Sequence, residues 1–371
     1  MKNRLIIAFL FVSFQSVAQV LFPIEIIGKW GYMDTDGEIV LPAVYDYADD
    51  FADEYAVVAK GNQPCIINKK GKAVIDTGFY QFISPVSEGF AAVVDYKKHK
   101  FYVDMKGRKV ISLPDSIYEV RKFKNGLAVV STQYDFHETK FGRDISTIAY
   151  RFGYMDTTGK MVTGFVYDDA DDMHDGIAKV RQGLHFGLIN IQGQWILQPT
   201  YNSIGYFNEE KAPVEIGGKY GYINTKGELI IPAIFDYAYD FTEGLAGVWT
   251  AGKYGYINAT GSLVIPATFD QIKPFSEGKA AILKEGKWGF IDKTGALVLK
   301  NMFEDASVFS EGKCAVVYKR RWGFIDTRGA MIIPAEFDAV GSFENGVADV
   351  VYHDINMYIN SQGTILPHMK K

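Results

Sequence analysis

The sequence predicts an all-β protein, a tandem array of about ten three-stranded antiparallel units. Three observations carry that prediction. One short segment, typified by Lys253-Tyr254-Gly255-Tyr256-Ile257-Asn258-Ala259-Thr260-Gly261, returns down almost the whole chain. Its closing glycine recurs at Gly37, Gly71, Gly107, Gly159, Gly193, Gly227, Gly261, Gly295, Gly329 and Gly363, with spacings of 34, 36 and 52 residues and then 34 six times in succession. A fixed period of that size is the mark of stacked supersecondary units. Composition agrees: 37 Gly, 23 Tyr and 26 Phe among 371 residues suit strands joined by tight turns.

The chain begins with an export pattern. Lys2 and Arg4 precede an apolar run from Leu5 to Phe14 that only Ser13 interrupts, and Ser16-Val17-Ala18 supplies a small-x-small cleavage site. The run is too short to span a bilayer as a helix. Residues 1–18 are therefore expected to be a signal peptide and 19–371 the mature repeat array, with no membrane span and a periplasmic, cell-surface or secreted destination. Only Cys65 and Cys314 follow, at non-equivalent places in their units, so both read as small buried residues rather than a bridge.

Each unit can be read from the columns that its copies define. Three residues before every marker glycine stands Asp or Asn, as in Asp34, Asn68, Asn258 and Asp326. The short side chain accepts a backbone hydrogen bond two residues on, and Gly takes a positive φ without a Cβ clash, so the segment is a hairpin turn. Before the turn runs strand B (Trp288-Gly289-Phe290-Ile291) and after it strand C (Leu229-Ile230-Ile231-Pro232). Upstream lies strand A (Ala280-Ala281-Ile282-Leu283), joined to B through Gly286-Lys287. Strand C often stops at a proline, which cannot donate to a continuing ladder. A connector such as Phe269 to Gly278 follows, with two aromatics six apart that plug the gap to the next unit and an acid-Gly turn at its end.

One unit cannot hide its apolar face alone. Five or six large apolar side chains contribute about 1.5–3 kcal/mol each when fully buried. Ordering about 34 residues costs a comparable or larger sum. The units must stack. Between units three and four an insertion at about 132–147 breaks the period, and it reads as a surface loop carrying Tyr134, Phe136, His137 and Phe141. Because no unit is split between the chain ends and ten exceeds the usual blade count, an open twisted superhelix is favoured, with a closed propeller-like ring as the alternative.

The segments Lys29-Trp30-Gly31-Tyr32-Met33-Asp34, Lys287-Trp288-Gly289-Phe290-Ile291-Asp292 and Arg321-Trp322-Gly323-Phe324-Ile325-Asp326 resemble the signature of the bacterial WG-repeat (KWG) proteins. Tyr or Phe replaces the Trp at Phe152, Phe186, Tyr220 and Tyr254, and units two, three and ten lack the Trp-Gly pair. The resemblance implies a β-rich repeat fold, often exported, and carries no catalytic residues across.

Chemistry is sparse in the remaining residues. The six histidines (99, 137, 174, 185, 353 and 368) fall in different units without ligand spacing. The acid-dense stretches Tyr45 to Asp50 and Tyr167 to Asp172 lack the sharp-turn glycine of a calcium loop. No nucleophile motif and no phosphate-cradling glycine loop occurs, so no cofactor is expected. Net charge is −5 with no basic stripe, which argues against nucleic acid.

Aromatic residues sort by column. Trp30, Trp288 and Trp322 share the repeated core column with Tyr and Phe, and Trp195 stands in a column otherwise held by Ile and Leu. Trp249 differs, because its column holds Glu25, Asp95, Arg181 and Glu215 and then Leu283, Val317 and Val351 in other units and so marks a partly exposed face. Trp249, together with Tyr134, Phe136 and Phe141 of the insertion, forms the set of candidate binding residues. The expected function is that of an exported, non-enzymatic module that binds or scaffolds a protein or glycan partner in the bacterial cell envelope. The alternative is an envelope polysaccharide hydrolase whose carboxylates are gathered from several units.

Overall fold

The structure, a computed structural model, describes residues 20–76, 78–140 and 143–366, without the side chains of 137–145. The expected signal peptide and Phe141 lie outside the described residues. Every regular element described is a β-strand, and the strands gather into ten small antiparallel sheets in chain order.

Each unit builds as its columns dictate. In the seventh, strand A (Leu245–Thr250) pairs with strand B (Lys253–Asn258), which pairs with strand C (Leu263–Phe269). The B–C turn is made by Asn258, whose Oδ1 accepts the N–H groups of Thr260 and Ser262 at 3.0 and 3.1 Å. Gly261 closes that turn at a φ of 81°. A Cβ there would also stand 2.8 Å from Ile231 of the preceding unit, so the marker glycine serves both turn and stacking. Glu243-Gly244, with φ of 52° and 86°, forms the two-residue turn that opens strand A.

Strand C does not run straight beside strand B. Tyr254 pairs with Phe269 and Tyr256 with Ile265, so two extra residues bulge on strand C opposite Gly255. A Cβ on Gly255 would lie 2.6 Å from the Ile265 carbonyl oxygen and 2.7 Å from the Ala267 nitrogen. The second residue of the repeated Trp-Gly pair is therefore a backbone-contact site.

The connector departs from expectation. It is not only a plug: in six of the ten sheets it supplies a short fourth strand to the following unit. Tyr237–Thr242, for example, pairs with strand A of the seventh unit. Phe269, which the structure places at the end of strand C rather than in the connector, and Phe275 of the connector are buried with Tyr256, Ile265, Ile282 and Ile291, between units seven and eight. The core is thus a series of layers between neighbouring units rather than one mass within any of them.

Polar ties repeat with the period. The Tyr256 hydroxyl donates to the Lys273 carbonyl at 2.8 Å, and Tyr32, Tyr154 and Tyr222 make the same bond seventeen residues ahead. Burial pushes the phenol of each of these residues well above its ordinary range. The Glu243 carboxylate accepts the Gly278 N–H at 2.9 Å, and Glu277 and Glu311 do the same for Gly312 and Gly346. Each acidic turn clamps the equivalent turn of the next unit.

The ends of the chain meet. Ile24 and Met33 of the first unit are buried in one cluster with Val347 and Leu366 of the last, flanked by Phe22, Ile26 and Tyr358. The Tyr358 hydroxyl, in the same column as Tyr256, finds the Pro23 carbonyl at 3.5 Å. The sheets therefore close into a ten-bladed β-propeller, the ring rather than the favoured open superhelix. Closure without a split unit rests on apolar packing, which strand order does not reveal.

The insertion is also different from the expected loop. Leu127–Lys140 and Arg143–Asp156 are fourteen-residue strands paired in unbroken register, so the A–B hairpin of the fourth blade simply runs on. The β-formers Thr132, Tyr134, Phe136, Ile145, Ile148 and Tyr150 account for it. Cys65 and Cys314 are buried and free.

Candidate aromatic binding pocket on the seventh blade

Trp249 stands at the end of strand A, 40% exposed. Its direct partners across the sheet are Tyr237 on the connector strand and Tyr254 on strand B. Tyr239, two residues beyond Tyr237, falls on the same face. Together with Asp236 these four aromatic residues line a pocket of about 460 Å³.

The rings form a connected series. Trp249 and Tyr254 have centroids 4.9 Å apart, Tyr254 and Tyr239 6.1 Å, and Tyr239 and Tyr237 5.0 Å. Tyr220 of the preceding blade extends the series, 5.1 Å from Tyr237. Gly247 lies under Tyr239: a Cβ there would stand 2.4 Å from the Ile272 side chain and 3.1 Å from the Tyr239 ring, where blades eight and nine carry Ala281 and Ala315. Burial, then a hydrogen bond with Tyr254, pushes the Tyr239 phenol up to about 12, so it stays neutral at physiological pH.

Asp236 supplies the polar edge. Its Oδ1 accepts from Lys219 Nζ at 2.5 Å. In other blades the equivalent acid also accepts a turn N–H with Oδ2, from Gly61 to Asp46 at 2.6 Å and from His353 to Asp338 at 2.8 Å. Among the described residues Asp236 lacks that second bond, which leaves one carboxylate oxygen at the pocket without a protein donor. Asp46 and Asp168, within the acid-dense connectors, instead spend both oxygens on a cation and a turn N–H. Those clusters are structural clamps.

The other candidates lie elsewhere. Tyr134 is half-buried with Arg151 5.9 Å above its ring, and Phe136 is exposed further along the extended hairpin. Trp249 and the hairpin both belong to the end of the blades that carries the A–B turns, but they are three blades apart. Trp288 is buried, while Trp30, Trp195 and Trp322 are half-buried and packed against interblade clusters. Tyr254, read from its column as a packing residue, lines the pocket as well. Tyr237 and Tyr239 were missed although their alternation in Phe235-Asp236-Tyr237-Ala238-Tyr239 was a strand signal placing both on one face.

A second cavity of about 470 Å³ opens beside the base of the hairpin, with Phe82, Lys100, Tyr118, Glu119, Arg121 and Asp172 among its walls. Arg121 Nε donates to Glu119 at 2.9 Å. Asp172 Oδ1 is buried without a hydrogen-bond partner. No group of three or more His, Cys, Asp or Glu side chains among the described residues is arranged to hold a metal ion. No helix among them is long and apolar enough to cross a membrane.

With this geometry in place, the comparisons define the class. The WG-containing repeat model matches residues 30–63, 66–98, 152–183, 186–220, 220–254, 254–288, 288–320 and 322–354, and the chain belongs to that family. No curated protein matches the sequence. Among solved structures, a similar one is the extracellular domain assigned to the hybrid two-component system BT4673 of B. thetaiotaomicron, at 10% identity and a TM-score of 0.26. The match covers 94% of this chain and 65% of that one, and the likeness is too slight to carry an argument.

Proposed function

We propose that the protein is an exported, non-enzymatic binding module of the bacterial cell envelope, and that the pocket around Trp249 receives its protein or glycan partner. One observation carries the reading: four aromatic residues and a carboxylate converge where the repeated face is otherwise filled by Gln271, Leu283 and Trp288 or by Asp305, Val317 and Trp322. Exposed Trp and Tyr combine large contact area with few rotamers to freeze, which suits them to recognition. The apolar leader of residues 1–18 supports export.

Affinity capture from envelope extract tests the reading. The full chain is expected to retain a partner that Trp249→Ala loses and that Leu283→Ala, at the matching place on blade eight, keeps. Equal capture by both variants would remove the pocket from consideration.

A polysaccharide hydrolase is the second reading, favoured by Glu119 and the unpartnered Asp172 Oδ1 in the cavity beside the hairpin. It predicts that reducing ends are released from envelope glycan and that Glu119→Gln and Asp172→Asn each abolish the release. Absence of any release by the unaltered chain would exclude it.

A further inference from the structure

We propose that the blade-seven pocket binds a quaternary ammonium group of the choline type, held among Tyr237, Tyr239, Tyr254 and Trp249 with the free oxygen of Asp236 beside it. The inference rests on the reading that this pocket is the binding site, and it names the chemistry the pocket reads.

Ring arrangement is the first argument. The series Tyr237, Tyr239, Tyr254, Trp249 turns back on itself, because its two ends are direct cross-strand partners. Successive rings are inclined by 76°, 44° and 51°. A pyranose stacks its C–H face on a flat platform, and no two successive rings here are coplanar. A compact methylated cation instead meets the negative π face of a ring on several sides. The pocket has ample volume for such a group at about 460 Å³.

Charge is the second argument. The carboxylate of Asp236 is the one charged group in the pocket wall. Lys219 is bound to one oxygen of Asp236 and is not part of the pocket wall. The other oxygen retains its acceptor capacity. A quaternary ammonium has no N–H to satisfy, so its polarised methyl groups can rest against rings and carboxylate together without an unmet donor.

Isothermal titration of the full chain with choline chloride at fixed ionic strength tests the proposal. The comparison ligand is its neutral carbon analogue, with a tert-butyl group in place of trimethylammonium. Choline is expected to bind, with the neutral analogue and the Trp249→Ala and Tyr237→Ala variants each weaker by about tenfold. Trp249→Phe retains a π face and is expected to keep most of the affinity, which separates lost recognition from lost folding. Equal binding of the neutral analogue, no binding of choline, or full affinity in Trp249→Ala would overturn the proposal. Should an envelope saccharide bind in a Trp249-dependent way while choline does not, the ammonium assignment fails and the binding role of the pocket stands. If neither binds there, both fail.

Discussion

At the residue scale, the repeated glycines divide into two physical kinds. Gly261 is held by its positive φ and by the Ile231 side chain, whereas Gly255 is held by backbone alone, at 2.6 Å from the Ile265 oxygen to the place of a Cβ. Backbone cannot step aside as a side-chain tip can. Gly255→Ala should therefore destabilise the chain by about 1–3 kcal/mol through forced displacement of strand C. Denaturant unfolding measures it, and a change below about 0.5 kcal/mol would show that the bulge yields freely. The recurrence of this glycine was legible, since seven of the ten units carry it after the aromatic residue. The bulge that requires it was not, since pairing register between strands B and C depends on a partner that the column does not name.

At the scale of the element, turn chemistry makes strands A and B plain, but strand C does not stop at its proline: it passes Pro232, Pro266 and Pro334 to end at Phe235, Phe269 and Phe337, and the connector carries a strand of its own. The connector reads as a linker because its short strand, for instance Gln271–Ile272, is two residues long and pairs only after the next blade exists. The extended hairpin was hidden by its polar alternation. The column tyrosines show what the elements do together, since each buried phenol binds a carbonyl seventeen residues on. Folded, these phenols ionise above their ordinary value of 10.0; unfolded, they ionise near it. The folded state thus holds protons that the unfolded state releases. The stability this contributes is complete below about pH 10 and declines as pH rises beyond it. Alkaline titration should show tyrosinate absorbance from exposed residues first, then a cooperative rise from Tyr32, Tyr154, Tyr222 and Tyr256 that coincides with loss of β-sheet dichroism. A smooth titration of all tyrosines with the fold intact would contradict this.

For the whole molecule, closure decides how the chain fails. In an open array a lesion in the first unit frays one end, whereas in a ring it opens the interface with the last. Ile24 is 3% exposed in the cluster that joins the two ends. Ile24→Asp places an unpaired charge there and should cost about 3–5 kcal/mol. Scanning calorimetry should record a lower midpoint for the entire transition, and trimming of the first blade alone by protease would instead favour the open array. Ten units were countable in the sequence because the turns keep their period. Their closure was not, because it depends on the accumulated angle between blades and on side chains more than three hundred residues apart. The pocket was half legible: Trp249 is the one aromatic among Glu25, Asp95, Arg181, Glu215, Leu283, Val317 and Val351 of its column, but Tyr237 and Tyr239 come from a connector with no assigned strand.

These scales meet in one claim, that the repeated residues build the ring and that recognition occurs where blade seven departs from them. Hydrogen exchange of the full chain, free and saturated with its captured partner, tests it most directly. The account predicts added protection on the strands bearing the pocket, from Tyr237 to Tyr254, with the matching strands of blades eight and nine unchanged. Protection spread evenly over the equivalent strands of all blades, or absent from blade seven, would contradict it.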